Sequence, residues 1–344
     1  MPKLTNSDRQ NSRAISTSAS ELHNTSHIKL GLYSITYLGV WYRGGALTLE
    51  EVIQRAKRFG YEGIEIDGKR PHGNPLDMSS ARCEQLRRYA GDHGIEIYAV
   101  AANNDFSSPI PEHFESQLLY TRELIAMTQR LGAKLVRVFV AWPGVTVLPE
   151  GGATYDFAKA AWRHVHQSFT QEQIWERCRE GLVESARYAQ EQGITLALQN
   201  HPPLITSYRD CLRMVREVAS PNLKICFDGR LEKQLTDSEV ERAALEVGPL
   251  QVLSHFGGEY DERPDGITIT PGEKCAAEVR ALVGMGYSGY IGYELCHPLP
   301  HVDGRPPGID FVDKNARLAA TYMRKLIEQA RCHAASVSLT QNAI

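Results

Sequence analysis

The chain is 344 residues long and 42% hydrophobic, with a formal charge of −3 and a pI near 6.5. That balance allows a sizeable core but gives no basic field to hold nucleic acid or an anionic membrane surface, so the expected partner is a small molecule. Seven scattered cysteines with no C-x-x-C pair suit reduced thiols and a cytoplasmic setting.

Residues 1–28 are rich in Ser, Thr and Asn and lack the apolar stretch of a secretory signal, so a disordered tail is expected there. From Lys29 onward, strand-like and helix-like segments alternate eight times. The strands read KLGLYSITYLG, GIEIDG, IEIYAVAA and AKLVRVFVAW, then ITLALQNH, LKICFDGR, LQVLSHFGG and YIGYELCH. Each is short and apolar, as buried parallel strands are. Thr48, Ser79, Thr170 and Thr270 are placed to cap the helices that follow, and Gly60, Gly94, Gly132, Gly193 and Gly286 to stop helices before the next strand. An insert at about 142–168 carries Trp142, Tyr155, Phe157, Trp162, His164 and His166. It is too aromatic for a bare linker; a substrate lid and a face for another subunit both fit. Residues 331–344 are expected as a second tail. The sum is an α/β fold, a (βα)8 TIM barrel over 29–330. The absence of G-x-G-x-x-G after the first strand favours it over an open doubly wound sheet. No run approaches the roughly 18 apolar residues of a membrane helix.

Four successive apolar runs end on side chains that can bind a metal: Gln199, Asp228, His255 and Glu294, recurring every 27 to 39 residues. In a barrel the strand ends converge on one mouth, so these four are expected to meet. Two carboxylates, an imidazole and an amide carbonyl suit one divalent ion, Mn, Mg, Co or Zn. Strand parity puts Gln199 with His201, Glu65 with Asp67, and Arg137 with Phe139. Polar groups set in apolar strands need partners, and an ion is one. A DNA-cutting enzyme would need more ligands and a basic cleft than the sequence offers.

LALQNH, ICFDG, LSHFGG and IGYEL resemble the motifs of the sugar phosphate isomerase/epimerase family of xylose-isomerase-like barrels, over nearly the whole of 29–330. The resemblance implies that the four positions hold one divalent ion and that the carboxylates of the fifth and eighth strands also move protons beside a substrate carbonyl. Asp228, His255 and Glu294 match; Gln199 stands where the family usually has Glu. An amide cannot serve as one of two opposed bases, which weakens two-base epimerisation and calls for another proton acceptor. His201, His297 and His72 are the candidates to act with Glu294.

EIDGKRPHGNPLD and the insert further resemble the large subunit of C-glycoside deglycosidases and related 3-oxo-glycoside lyases, which implies a manganese-like ion and a small partner subunit. The leading expectation is therefore a metal-dependent lyase that removes a proton next to a ketone and expels the aglycone by β-elimination. A metal-dependent sugar isomerase or ketose 3-epimerase is the alternative, and a metal-free sugar-binding protein the second. Glu65, Lys69, Arg137, Trp142 and Arg230 are the expected substrate-binding residues. A homo-oligomer is expected.

Overall fold

The computed structural model describes residues 26–148, 152–270, 274–301 and 304–341. Its strands in chain order are β1 (Lys29–Tyr33), β2 (Gly63–Asp67), β3 (Glu96–Ala101), β4 (Leu135–Val138), the short pair β5 (Thr146–Val147) and β6 (Ala153–Thr154), then β7 (Thr195–Gln199), β8 (Leu223–Phe227) and β9 (Gln251–Phe256). A hairpin of β10 (Glu259–Arg263) and β11 (Gly266–Thr270) precedes β12 (Tyr290–Tyr293). Eight of these strands close a barrel in the order β1, β12, β9, β8, β7, β4, β3, β2, with every neighbouring pair parallel. The expected TIM barrel is the observed fold.

The helices are α1 (Leu49–Phe59), α2 (Ser80–Asp92), α3 (Pro111–Leu131), α4 (Asp156–His166), α5 (Gln171–Glu191), α6 (Tyr208–Val218), α7 (Asp237–Val247), α8 (Cys275–Gly284) and α9 (Ile309–Gln341). Thr48 and Thr170 each close a capping box, and Ser79 accepts from the backbone N–H of Arg82. The five glycines expected to stop helices all have φ between 65° and 79°, the left-handed region that a side chain resists. Thr270 is a correction. It ends β11 rather than capping a helix, because ITIT alternates and pairs antiparallel with EYDER.

The barrel floor explains two other glycines. Tyr98 of β3 stacks on Tyr290 of β12 with centroids 4.0 Å apart. A Cβ at Gly31 or Gly292 would lie 2.3 or 2.7 Å from the Tyr98 hydroxyl, so the neighbouring strands stay bare where that ring fills the interior.

The terminal boundaries differ from those expected. Residues 1–25 of the N-terminal tail lie outside the described residues, but Ser26 and Ile28 are buried, and the Ser26 hydroxyl donates to the Tyr287 carbonyl at 3.1 Å. At the other end α9 runs on through 331–341, where a tail was expected. No Gly or Pro interrupts the helix, and Arg331 donates to the Ser26 carbonyl at 3.0 Å. Among the described residues no helix is long and apolar enough to cross a membrane.

Candidate active site

Asp228 follows β8, His255 lies near the end of β9 and Glu294 follows β12. Because parallel strands deliver their C-terminal ends to one rim, the three meet there: one ligand-capable atom from each lies within 4.8 Å of the others, and all three residues are buried. Glu65 of β2 sits behind them. Its Oε2 accepts from His255 Nε2 at 2.6 Å. Burial pushes the Glu65 carboxyl up, but the neighbouring His255 and Arg137 outweigh it and hold the group below its usual range. As a carboxylate it only accepts, so Nε2 must carry a proton and Nδ1 is the atom turned to the cluster. That Nδ1 is buried, has no hydrogen-bond partner, and faces Glu294 Oε2 at 3.6 Å.

A buried nitrogen aimed at two carboxylates, with its opposite nitrogen held by a third, is the arrangement of a histidine ligand. Two carboxylates and one imidazole suit a hard or borderline divalent ion, so the residues fit the group expected from the sequence. Arg230 balances the same oxygens. Its backbone N–H and Nε donate to Asp228 Oδ1 at 3.0 and 3.1 Å, and its Nη2 donates to Asp228 Oδ2 at 2.8 Å and to Glu294 Oε1. Burial opposes ionisation of Glu294, but Arg230, His255 and Arg137 overcome it and bring its pKa down to about 2.

Gln199 departs from its expected role. Arg137 is buried, with Tyr33 and Phe139 rings 4.9 and 4.8 Å from its guanidinium carbon. Its Nε donates to Glu65 Oε1 at 2.8 Å and its Nη1 to Gln199 Oε1 at 2.7 Å. Gln199 Nε2 in turn donates to Asp228 Oδ2 at 3.2 Å. The carbonyl expected as a fourth ligand therefore faces Arg137, and the nitrogen faces the cluster. Glu65 also changes role: it does not line the cavity but fixes His255 and Arg137 from behind.

A cavity of about 480 Å³ opens over this cluster. Lys69, Arg137, Trp142, Gln199, His201, Arg230, Glu294 and His297 all line it, so the barrel brings these expected residues together. His201 Nδ1 donates to the Pro202 carbonyl at 2.7 Å, and its ring meets Phe139 and Trp142 edge-on at 4.8 and 4.7 Å. Burial lowers its pKa to about 4, so it is a neutral imidazole near pH 7 with Nε2 as the proton acceptor. His297 stands further out, its Nε2 3.1 Å from Glu259 Oε1. Lys69 lies 3.6 Å from Asp67 Oδ2.

His72 is not part of the cavity lining. Its Nε2 is 2.9 Å from the Leu47 carbonyl and its Nδ1 3.0 Å from the Ser34 hydroxyl, and burial lowers its pKa. Both ring nitrogens are engaged in bracing the loop after β2, which leaves neither for substrate.

The insert forms one wall of the cavity. Trp142, Tyr155 and Trp162 line it, Trp142 stacks on Phe139 at 5.1 Å, and the Tyr155 hydroxyl donates to the Cys296 carbonyl. His166 is buried with Nε2 2.9 Å from the Ser107 carbonyl, which pins α4 to the loop after β3. Sequence reasoning missed Tyr33, which stacks on His255 at 5.7 Å, and Asn103, which lines the cavity and donates to Asp67 at 2.6 Å. An aromatic strand end reads as core, but Asn103 could have been found as a polar residue two places past β3.

A model of the xylose isomerase-like TIM barrel matches residues 53–315. The chain belongs to this family. It is similar to fructoselysine 3-epimerase of Shigella flexneri, 24% identical over 266 residues that span 72% of this chain and 86% of the relative. Among solved structures it resembles L-ribulose 3-epimerase, with a TM-score of 0.66 and 18% identity over 90% of this chain and 98% of that one. It also resembles 3-keto-D-glucoside 4-epimerase from E. coli, with a TM-score of 0.60 and 17% identity over 85% and 99% of the two chains. At these identities the structural likeness is one of fold. Membership of the xylose isomerase-like TIM barrel family accounts for the barrel and its rim, while Gln199 and the α4 insert are read from this chain itself.

Proposed function

We propose that the protein is a divalent-metal-dependent sugar epimerase or isomerase that moves a proton next to the carbonyl of a keto-sugar. The observation that carries the reading is the buried, unpartnered Nδ1 of His255 facing Asp228 and Glu294 at the floor of the cavity. The similar proteins act, by name, as epimerases of fructoselysine, L-ribulose and a 3-keto-D-glucoside. This moves the epimerase reading ahead of the lyase expected from the sequence. Asp228, His255 and Glu294 would hold the ion, with manganese as the first choice to test. When bound, such an ion supplies Lewis-acid polarisation of a substrate oxygen.

Glu294, ionised by its cationic neighbours, and His201, neutral with Nδ1 donating to the Pro202 carbonyl and Nε2 left as the acceptor, both line the cavity and are the two groups able to take a proton. Gln199 cannot, so His201 two residues along the same face supplies the second proton-handling group. Trp142 and Tyr155 offer flat surfaces to a sugar ring and exclude water. Lys69 and His297 offer polar contacts to hydroxyls at the rim.

Incubation with Mn²⁺ and either L-ribulose or a 3-oxo-glucoside in deuterium oxide tests the reading. Deuterium at a retained carbon, in a product of inverted configuration or isomerised carbonyl, is the expected result. The lack of a carboxylate at 199 favours one other reaction, single-base β-elimination from a 3-oxo-glycoside, alone or with a small second subunit. Aglycone release without deuterium in the recovered substrate would replace the epimerase reading with that one.

A further inference from the structure

The hydrogen-bond order around Gln199 carries a consequence for how an ion is held, and it rests on the metal site proposed above. A guanidinium has only donors, so the atom of Gln199 that faces Arg137 Nη1 at 2.7 Å must be the carbonyl oxygen. Arg137 cannot turn away. Its Nε is bonded to Glu65, Glu65 is bonded to His255, and aromatic rings flank the guanidinium on Tyr33 and Phe139. The amide nitrogen is thereby directed at Asp228 Oδ2. Turning the amide over would set N–H against N–H at Arg137 and oxygen against carboxylate oxygen at Asp228. A carboxylate at 199 could serve Arg137 with one oxygen and an ion with the other; an amide divides the two tasks, and its NH₂ is no ligand.

We propose that Arg137 locks the Gln199 carbonyl away from the metal site, so that a divalent ion has three protein ligands, Asp228, His255 and Glu294, and Gln199 acts beside it as a hydrogen-bond donor. One amide hydrogen serves Asp228, and no second acceptor for the other is found among the described residues; Gln199 lines the cavity, so that hydrogen points where an oxygen of the substrate can accept it. Gln199 is then a positioning residue, and the coordination positions that a fourth ligand would close stay open to water or substrate oxygens.

The test is calorimetric titration of chelator-treated full-length protein with Mn²⁺ alone, for the wild type, Gln199→Ala and Gln199→Met, each checked for native circular dichroism. Wild-type binding with a loss of no more than about 100-fold in the variants is expected, because each also removes the hydrogen bond that Gln199 gives to Asp228. A larger loss in a folded variant overturns the inference and leaves the proposed function standing, whereas absence of wild-type binding overturns the proposed function itself. Should both variants fail to fold, wild-type protein labelled with ¹³C at its glutamine side-chain carbonyls decides the matter by electron–nuclear double resonance on bound Mn²⁺. The strong carbon coupling of a directly bound carbonyl would contradict the inference, and its absence is expected.

Discussion

His255 and Glu65 share a 2.6 Å hydrogen bond that orients the imidazole, and with it the proposed metal site: Nε2 donates to the carboxylate and Nδ1 is turned toward Asp228 and Glu294. Both residues are fully buried, and Glu65 also pairs with Arg137 at 2.8 Å. One carboxylate thus fixes two cation-forming side chains from beneath the site.

Glu65→Ala should therefore damage fold and site together. It leaves Arg137 buried without its anion, a loss of about 3 to 5 kcal/mol for this kind of pair. Release of His255 should weaken Mn²⁺ binding by about 10- to 100-fold, the usual effect of removing the group behind a ligand. Urea unfolding and Mn²⁺ titration check the two effects. An unchanged Mn²⁺ affinity would show that Glu65 does not position His255.

His201 gives a pH dependence of definite sign. Its folded pKa of about 4 lies below the ordinary value for histidine. Between these two values the unfolded chain binds the extra proton and the folded protein does not, so stability should rise with pH across this window. The stabilisation is present in full above the ordinary histidine pKa and is lost as pH falls through the window toward 4. Activity should fall with it on the acid side, as Nε2 is protonated near pH 4. Comparing urea midpoints and turnover for wild type and His201→Gln from pH 4 to 7 tests this; an equally steep dependence in the variant would count against it.

Glu278 of α8 gives the opposite slope. Its carboxyl lies behind the Asp228, His255 and Glu294 cluster, accepting from Ser254 Oγ at 2.5 Å and from the Gly229 N–H at 3.1 Å, next in sequence to His255 and Asp228. Burial, reinforced by the charge of Asp228, raises its pKa to about 8 against the opposing hydrogen bonds. The folded protein keeps this proton where the unfolded chain has lost it, so this group's contribution should fall as pH rises from about 4.3 to about 8. Glu278→Gln should flatten that decline in urea midpoints measured at pH 5 and pH 8. An unaltered slope would mean that Glu278 ionises normally.

Gly292 ties the barrel floor to the site. An added Cβ would lie 2.7 Å from the Tyr98 hydroxyl and 3.0 Å from His255 Cδ2. Gly292→Ala should cost about 1 to 3 kcal/mol by overpacking, and should also lower Mn²⁺ affinity by displacing the imidazole. Gly91, near the end of α2 with nothing within 4 Å of its would-be Cβ, is the control. Gly91→Ala should be stabilising by about 0.5 to 1 kcal/mol. Equal thermal shifts for the two would contradict this assignment.

The barrel was legible because its signals are local. Alternation of short apolar runs with capped helices identified the eight strands, and Gly60 or Gly132 marks a stop through its own backbone conformation. Asp228, His255 and Glu294 were legible because each ends such a strand, and a closed barrel brings strand ends together whatever lies between them. The orientation of Gln199 was not, since it depends on Arg137 in another strand and on the third strand that anchors Arg137 through Glu65. His72 shows the same limit. It follows a strand as an active-site histidine does, but the Leu47 carbonyl and Ser34 hydroxyl that engage it come from elsewhere in the chain. Thr270 was misread because a threonine before a helix looks like a cap until its strand partner at Glu259 is known.

The central claim is that Asp228, His255 and Glu294 hold a divalent ion at the barrel mouth. Titration of chelator-treated protein with Mn²⁺, wild type beside Asp228→Asn and His255→Gln, tests it most directly. One ion per chain in the wild type and loss of that binding in both folded variants is the predicted result. Absence of wild-type binding, or binding unchanged in the two variants, would contradict it.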